Sequence, residues 1–280
     1  GQQWQPFGDG LDGAVEALAV YDDGTGPAVY LGGSFLSAGG VTLNRAARWD
    51  GSSFHPLGSG TDGTVYDLDV FDDGTGAALY AGGTFTSAGG APASGIARWT
   101  GLLWQPLGAG VTTDSYGKGV YALEPFDDGS GLALYVGGWF DQAGGSAASN
   151  LARWSSSGWS WVGTGVDNRV DALAVAAAGG APALYVGGSF ANAGGVAASR
   201  AARWNGAWSA LGTGPGFDVK ALSAWNGQLL AGGSSSPYIK AWNGSTWSTL
   251  AGGSPNANGV GALALWNDGR GLTAYVGGAF

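Results

Sequence analysis

The sequence predicts an all-β fold, a six-bladed β-propeller of four-stranded antiparallel blades whose last blade lacks one strand, and three observations predict it. A Gly-Gly pair recurs at Gly32, Gly82, Gly137, Gly187, Gly232 and Gly277, within AVYLGGSF, ALYAGGTF, ALYVGGWF, ALYVGGSF, QLLAGGSS and TAYVGGAF, at steps of 50, 55, 50, 45 and 45 residues. Each full step holds four short apolar or aromatic segments bounded by Gly, Asp, Asn or Ser, the pattern of strands and turns. Four antiparallel strands repeating every 40 to 50 residues or so match propeller blades, whose twisted sheets bury both faces against their neighbours.

In the first repeat the four segments are VEALAVY, AVYLGGSF, RAARWDG and FHPLGSG, designated A, B, C and D. Between A and B lie Asp22-Asp23-Gly24-Thr25-Gly26 and, one repeat later, Asp72-Asp73-Gly74-Thr75-Gly76, where Asp and Gly supply the side-chain-bonded and positive-φ positions of a tight turn. Asp50-Gly51, Asn205-Gly206 and Asn243-Gly244 turn the chain between C and D. Trp49, Trp99, Trp154, Trp204 and Trp242 recur in C, and Trp4, Phe54, Trp104, Trp159, Trp208 and Trp247 open D, an aromatic load assigned to packing between blades. The longest step comes from TTDSYGKG between Gly110 and Val120. The short ones come from the compressed A–B turn at Trp225-Asn226-Gly227 and from Ser234 to Pro237, which replace the longer B–C loop.

The repeats make residues 1–280 one expected domain of six units, each about 45 to 55 residues long. Residues 1–10 form a D strand expected to complete the last blade, whereas Phe280 ends a B strand and no sixth RAARWDG segment exists. One C strand is therefore missing, and truncation of a longer product is the expected reason.

Composition narrows the function classes. Hydrophobic residues make up 45%, but in strand-sized pieces between 57 glycines, so no membrane-inserted segment is expected. Net charge is −9 and the 11 Lys and Arg are scattered, which argues against nucleic acid as a partner. With Cys 0, disulfides, thiolate catalysis and zinc-thiolate sites are absent, and no cofactor or metal is expected.

At LYVGG, SAGG, ARW and WQPLG the chain resembles the Gly-rich, kelch-like propeller repeats of large secreted bacterial proteins of planctomycete type, over nearly its whole length. The resemblance implies the propeller fold and a secreted or cell-surface setting. It brings no catalytic motif to any position here.

Candidate chemistry is sparse. His55 is the one histidine and stands where sister repeats carry Gln5 and Gln105, so it is expected at the surface rather than as a base. Arg48, Arg98, Arg153 and Arg203 precede the C-segment tryptophans and are expected to serve the repeat by ion pairing or by stacking on an aromatic. The DDGTG carboxylates are too few for the six to eight oxygens of a calcium cage and are expected to form turns, as is the sequon Asn243-Gly244-Ser245.

What varies between repeats is more informative, because structure demands sameness whereas ligand specificity does not. The second position of A carries Glu16, Tyr66, Tyr121, Asp171, Lys220 and Gly261 between nearly constant neighbours, and is expected to face a central funnel. The D–A and B–C loops are expected to share one face, contributing Asp12, Asp62, Asp114, Tyr116, Lys118, Trp139, Asp141, Asp167, Asn168, Arg169 and Asp218. Exposed aromatics among carboxylates suit sugars or cationic groups. Glu16, Tyr66, Tyr121, Asp171, Lys220, Tyr116 and Trp139 are the candidate ligand-binding residues, and no residue is assigned a catalytic role.

The leading expectation is a non-catalytic extracellular binding or scaffold module with carbohydrate or another extracellular protein as partner. The alternative is a lectin-like, carbohydrate-binding propeller. A second alternative is a polysaccharide-acting enzyme using the funnel carboxylates Glu16, Asp67, Glu124 and Asp171.

Overall fold

The structure, a computed structural model, describes residues 7–236, 238–250, 259–267, 269 and 271–279. The expected pairing of Gly1 to Pro6 in the last blade, Trp4 included, lies outside the described residues. The described chain is all β, with no helix, and so has no helix long and apolar enough to cross a membrane.

Four-stranded antiparallel sheets repeat along the chain in the order A-B-C-D. The first comprises Val15–Asp22, Pro27–Gly33, Ala46–Trp49 and Phe54–Pro56, and the second Val65–Asp72, Ala77–Gly83, Ile96–Trp99 and Trp104–Pro106. The third comprises Gly119–Asp127, Leu132–Trp139, Leu151–Ser155 and Gly158–Trp161, and the fourth Val170–Ala176, Ala183–Gly188, Ala201–Trp204 and Trp208–Ala210. The fifth comprises Val219–Trp225, Gln228–Gly233, Ile239–Trp242 and Trp247–Thr249; after it Gly259–Asn267 pairs with Leu272–Ala279, two strands among the described residues. In the first four repeats the B–C loop is itself a miniature hairpin, such as Ser37–Ala38 against Val41–Thr42, with its tip at Gly39 and Gly40.

The chain divides into two compact units: Gly1–Leu123 with Phe140–Ala147 and Trp154–Trp159, and Glu124–Trp139 with Ala148–Arg153 and Ser160–Phe280. Within each, the Gly-Gly pair explains how one sheet seats on the next. A β-carbon on Gly32 would lie 2.5 Å from Val65 Cγ1, and one on Gly82 would lie 2.4 Å from Val120 Cγ1. In the second unit Gly137, Gly187 and Gly232 receive Val170, Val219 and Val260 in the same way, each at 2.5 Å. The second glycine clears its own A strand, since a β-carbon on Gly33 would meet the Ala14 carbonyl oxygen at 2.0 Å. The repeat unit is thus written as small-residue sockets on B and β-branched knobs on the A strand that follows.

The tryptophans do pack between sheets. Trp104 Nε1 donates to the Leu57 carbonyl and Trp159 Nε1 to that of Leu107, both at 2.8 Å, while in the second unit Trp247 donates to Leu211 at 2.8 Å. Each D aromatic also lies against its C partner, as in Trp99 and Trp104 with centroids 5.4 Å apart. Tyr30, Tyr80, Tyr135 and Tyr185 of B, and Phe35, Phe85, Phe140 and Phe190 just after it, are fully buried.

Of the four repeated arginines, Arg98 and Arg153 ion-pair as expected. Arg98 Nη1 lies 3.2 Å from Asp73 Oδ2, and Trp154 Nε1 of the following repeat donates to the same oxygen at 3.4 Å. In the second unit Arg153 pairs with Asp128 at 3.1 Å, and Trp204 Nε1 donates to Asp128 at 2.9 Å. Burial raises the Asp73 and Asp128 pKa values, but hydrogen bonds from Thr75 and Trp154, and from Ser130 and Trp204, outweigh it; both carboxyls end below the usual range, Asp128 at about 2. The first Asp of each turn folds the turn itself: Asp22 Oδ1 accepts from the N–H groups of Gly24 and Gly26, both at 2.9 Å. Asn243 Oδ1 likewise accepts from Ser245 and Thr246. The DDGTG segments and the Asn243 sequon are turns, as their composition predicts.

Candidate functional site

The varied position of A is a β-bulge. Strand register slips between Val15 and Ala17, Val65 and Asp67, Val170 and Ala172, Val219 and Ala221, and Val260 and Ala262. Glu16, Tyr66, Asp171, Lys220 and Gly261 are therefore the extra residues, and Tyr121 holds the matching place in the third sheet. A bulge re-aims its side chain and frees it from the pairing that fixes the neighbouring positions. That is why these residues vary while Val before them and Leu two positions on are retained.

In the first unit the bulge brings Tyr66 and Tyr121 of successive sheets together, with ring centroids 4.8 Å apart and planes at 32°. The Tyr121 hydroxyl donates to the Gly117 carbonyl at 2.5 Å, tying it to the loop that carries Tyr116. Tyr116 is 84% exposed, and its loop is folded by Asp114, whose Oδ1 accepts from the N–H groups of Tyr116 and Lys118. Glu16 is exposed.

Beside the tyrosine pair lies Asp67, at a position that is alanine in the sister strands (Ala17, Ala122, Ala172, Ala221). Its Oδ2 accepts from Leu123 N–H of the next A strand at 2.7 Å, and its Oδ1 accepts from Leu68 N–H at 2.8 Å. Burial pushes its pKa up to about 7 against the pull of the Leu123 N–H, and Asp69 adds to the rise. Burial also pushes Asp69 up to about 6.

In the second unit the bulge residues Asp171 and Lys220 of successive sheets form an ion pair at 3.1 Å, and Arg169 Nε lies 2.8 Å from the other Asp171 oxygen. The Asp171 side chain is 8% exposed, so the pair is largely shielded. Trp139, at the end of its B strand, is 37% exposed.

The loop aspartates have a different task. Asp12 Oδ1 accepts from Leu36 and Ser37 N–H, and Oδ2 from the Ser37 hydroxyl. Asp62 does the same for Thr86 and Ser87, and Asp167 for Ala191 and Asn192. These carboxylates staple the D–A loop to the B–C loop that follows it, which places the two kinds of loop side by side in each unit. The N–H donors of Ser37 and Leu36 hold the Asp12 carboxyl below its usual range. Neither the staple nor the bulge is evident in composition. The staple could have been found from Asp two residues past the Gly-x-Gly at Gly10, Gly60 and Gly165.

His55 is half exposed and bonded to Asp50 at 2.7 Å across the C–D turn. Among the described residues no group of three or more His, Cys, Asp or Glu is arranged to hold a metal ion. No family model matches the chain, and no curated protein matches it.

Proposed function

We propose that the chain is a six-bladed β-propeller acting as a non-catalytic binding or scaffold module, its partner another extracellular protein contacted through the A-strand bulges. The observation that carries this reading is the bulge row itself. It holds non-repeating side chains, Glu16, Tyr66, Tyr121, Asp171 and Lys220, on a frame whose other polar groups repeat and are largely occupied in turns, staples and inter-sheet latches. Successive A strands meeting at Tyr66 and Tyr121, and at Asp171 and Lys220, support the innermost place that A strands take in a propeller. The extracellular setting rests on the resemblance of the repeats.

The stacked pair Tyr66 and Tyr121 with exposed Tyr116 favours carbohydrate as a second reading. Two of the four carboxylates considered for polysaccharide chemistry are held: Asp67 by two N–H donors, Asp171 by two cations.

The test is an array of extracellular proteins and glycans probed with the wild-type chain and with Tyr66→Ala and Lys220→Ala. A partner whose binding falls at least about tenfold in either variant supports the proposal. Binding that both variants leave intact, or none to any member, contradicts it.

A further inference from the structure

We infer that a polar cavity beside the fifth sheet is a saccharide-binding site, at a place where the repeat departs from its own rules. Its volume is about 350 Å³, and Arg200, Thr213, Asp218, Ser234 and Ser235 present the polar side chains of its wall. All of these residues belong to the second unit, and none of them is a bulge residue.

Three coincident departures create the cavity. The staple carboxylate of Asp12, Asp62 and Asp167 is replaced at the equivalent position by Gly216. The B–C hairpin it would hold is shortened to the stretch beginning Ser234-Ser235. The third is a paired exchange of bulk. In the first two repeats Gly13 and Gly63 lie under Phe35 and Phe85, a β-carbon on either glycine falling 2.7 Å from the phenylalanine backbone. In the fifth, Phe217 takes the glycine position and Ser235 the phenylalanine position, so that Phe217, 2% exposed, fills the core from the other side. The core keeps a phenyl ring, now from Phe217, while the position filled by a buried phenylalanine in the first four repeats carries an exposed hydroxyl.

Into this opening the chain sets a charged pair. Arg200 Nε lies 2.6 Å from Asp218 Oδ1, with the two side chains 45% and 40% exposed. Arg200 has φ +76° and Ser199 φ +47°, a left-handed backbone that side-chain-bearing residues rarely adopt. The same place is held by Arg45 at φ +72° in the first repeat, Gly95 at φ +70° in the second and Asn150 at φ +62° in the third. The conformation thus belongs to the repeat, and what is particular to Arg200 is its partner: Arg45 donates to the Thr61 carbonyl at 3.0 Å, whereas Arg200 pairs with the Asp218 carboxylate. With the Nε–Oδ1 contact made, the Arg200 Nη donors and Asp218 Oδ2 remain beside Ser and Thr hydroxyls. A donor fork next to a carboxylate oxygen is complementary to the vicinal hydroxyls of a sugar ring, each of which can accept from one and donate to the other.

The experiment uses the whole chain with methyl hexopyranosides of gluco, galacto and manno configuration, followed by saturation-transfer NMR and titration to about 10 mM. Two variants borrow residues that sister repeats already tolerate: Arg200→Gly, as at Gly95, and Asp218→Thr, as at Thr64. The expected result is binding of at least one glycoside, lost about tenfold or more in both variants, with unfolding temperatures near that of wild type and no effect of Tyr66→Ala. Failure of all three glycosides to bind overturns the inference, as does binding that both variants retain. Binding lost in Tyr66→Ala and kept in Arg200→Gly would place the sugar on the bulge row instead, sinking this site while supporting the carbohydrate reading of the other.

Discussion

Phe54 stands where the sister repeats place tryptophan, and the structure shows what the smaller ring leaves behind. A cavity of about 180 Å³ opens among Gly8, Gly39, Trp49 and Phe54, in a repeat where the indole donor seen in Trp104 and Trp159 is missing. Phe54→Trp should fill it and donate to the Phe7 carbonyl, the counterpart of Leu57. The predicted gain is about 1 kcal/mol, or roughly 2–4 °C in a thermal melt; a lower melting temperature would show that the first sheet is shaped around phenylalanine. Asp67 offers a second test. Its folded pKa, near 7, lies above the ordinary carboxylate value, so between about pH 4 and 7 the folded chain binds a proton that the unfolded chain has released. Stability attributable to Asp67 therefore falls as pH rises through that window, and Asp69, near 6, acts in the same sense. Asp73 and Asp128 are depressed, so their contribution is lost as pH drops below about 4. Denaturant midpoints should accordingly peak at mildly acid pH, and Asp67→Ala, which restores the sister residue, should flatten the fall above the peak and stabilise the chain at pH 7 by about 1–2 kcal/mol. Midpoints that climb steadily from pH 4 to 8 in the wild type would contradict the assignment.

The seating of A on the preceding B strand is the interaction most exposed to a single methyl group. Gly82→Ala would drive a β-carbon into Val120, and because Val120 is fully buried the clash has nowhere to relax. The expected cost is about 2–3 kcal/mol, read as a lower denaturant midpoint, with Gly24→Ala at an exposed turn as a comparison governed by φ alone. If Gly82→Ala costs less than Gly24→Ala, the socket account fails. Strands and turns were legible in the sequence because each is written locally, in Val, Leu and aromatic runs closed by Asp-Gly or Asn-Gly. The socket was visible only as a Gly-Gly period, without its partner valine. The bulge was not legible because it depends on register across strands, and the Asp12 staple left only a Gly-x-Gly-x-Asp spacing, its partners being N–H groups 24 and 25 residues away. The same limit hid the cavity at Arg200: its residues are gathered from the end of one B–C loop, the following D–A loop and the next B strand's exit, and only comparison of loops in three dimensions shows that staple, hairpin and phenylalanine are lost together.

For the molecule as a whole, the repeat period specified sheets of four strands, and within each compact unit the structure stacks one sheet on the next by a constant set of contacts. Ring closure is a property that no local contact encodes, which is why the proposed six-bladed arrangement needs its own test. The chain contains no cysteine, so a pair introduced at will is the only reactive pair present. In a closed ring the bulge positions of the first and last A strands are neighbours, as Tyr66 and Tyr121 are within the first unit. Glu16 is exposed and a β-carbon on Gly261 meets nothing within 4 Å, so both positions accept a spin-labelled cysteine. The deciding measurement is the distance distribution of the labelled Glu16→Cys, Gly261→Cys chain by double electron–electron resonance, set beside that of Tyr66→Cys, Tyr121→Cys. The proposed ring predicts that the two distributions coincide; a first pair lying well beyond the control pair would contradict closure and with it the six-bladed propeller.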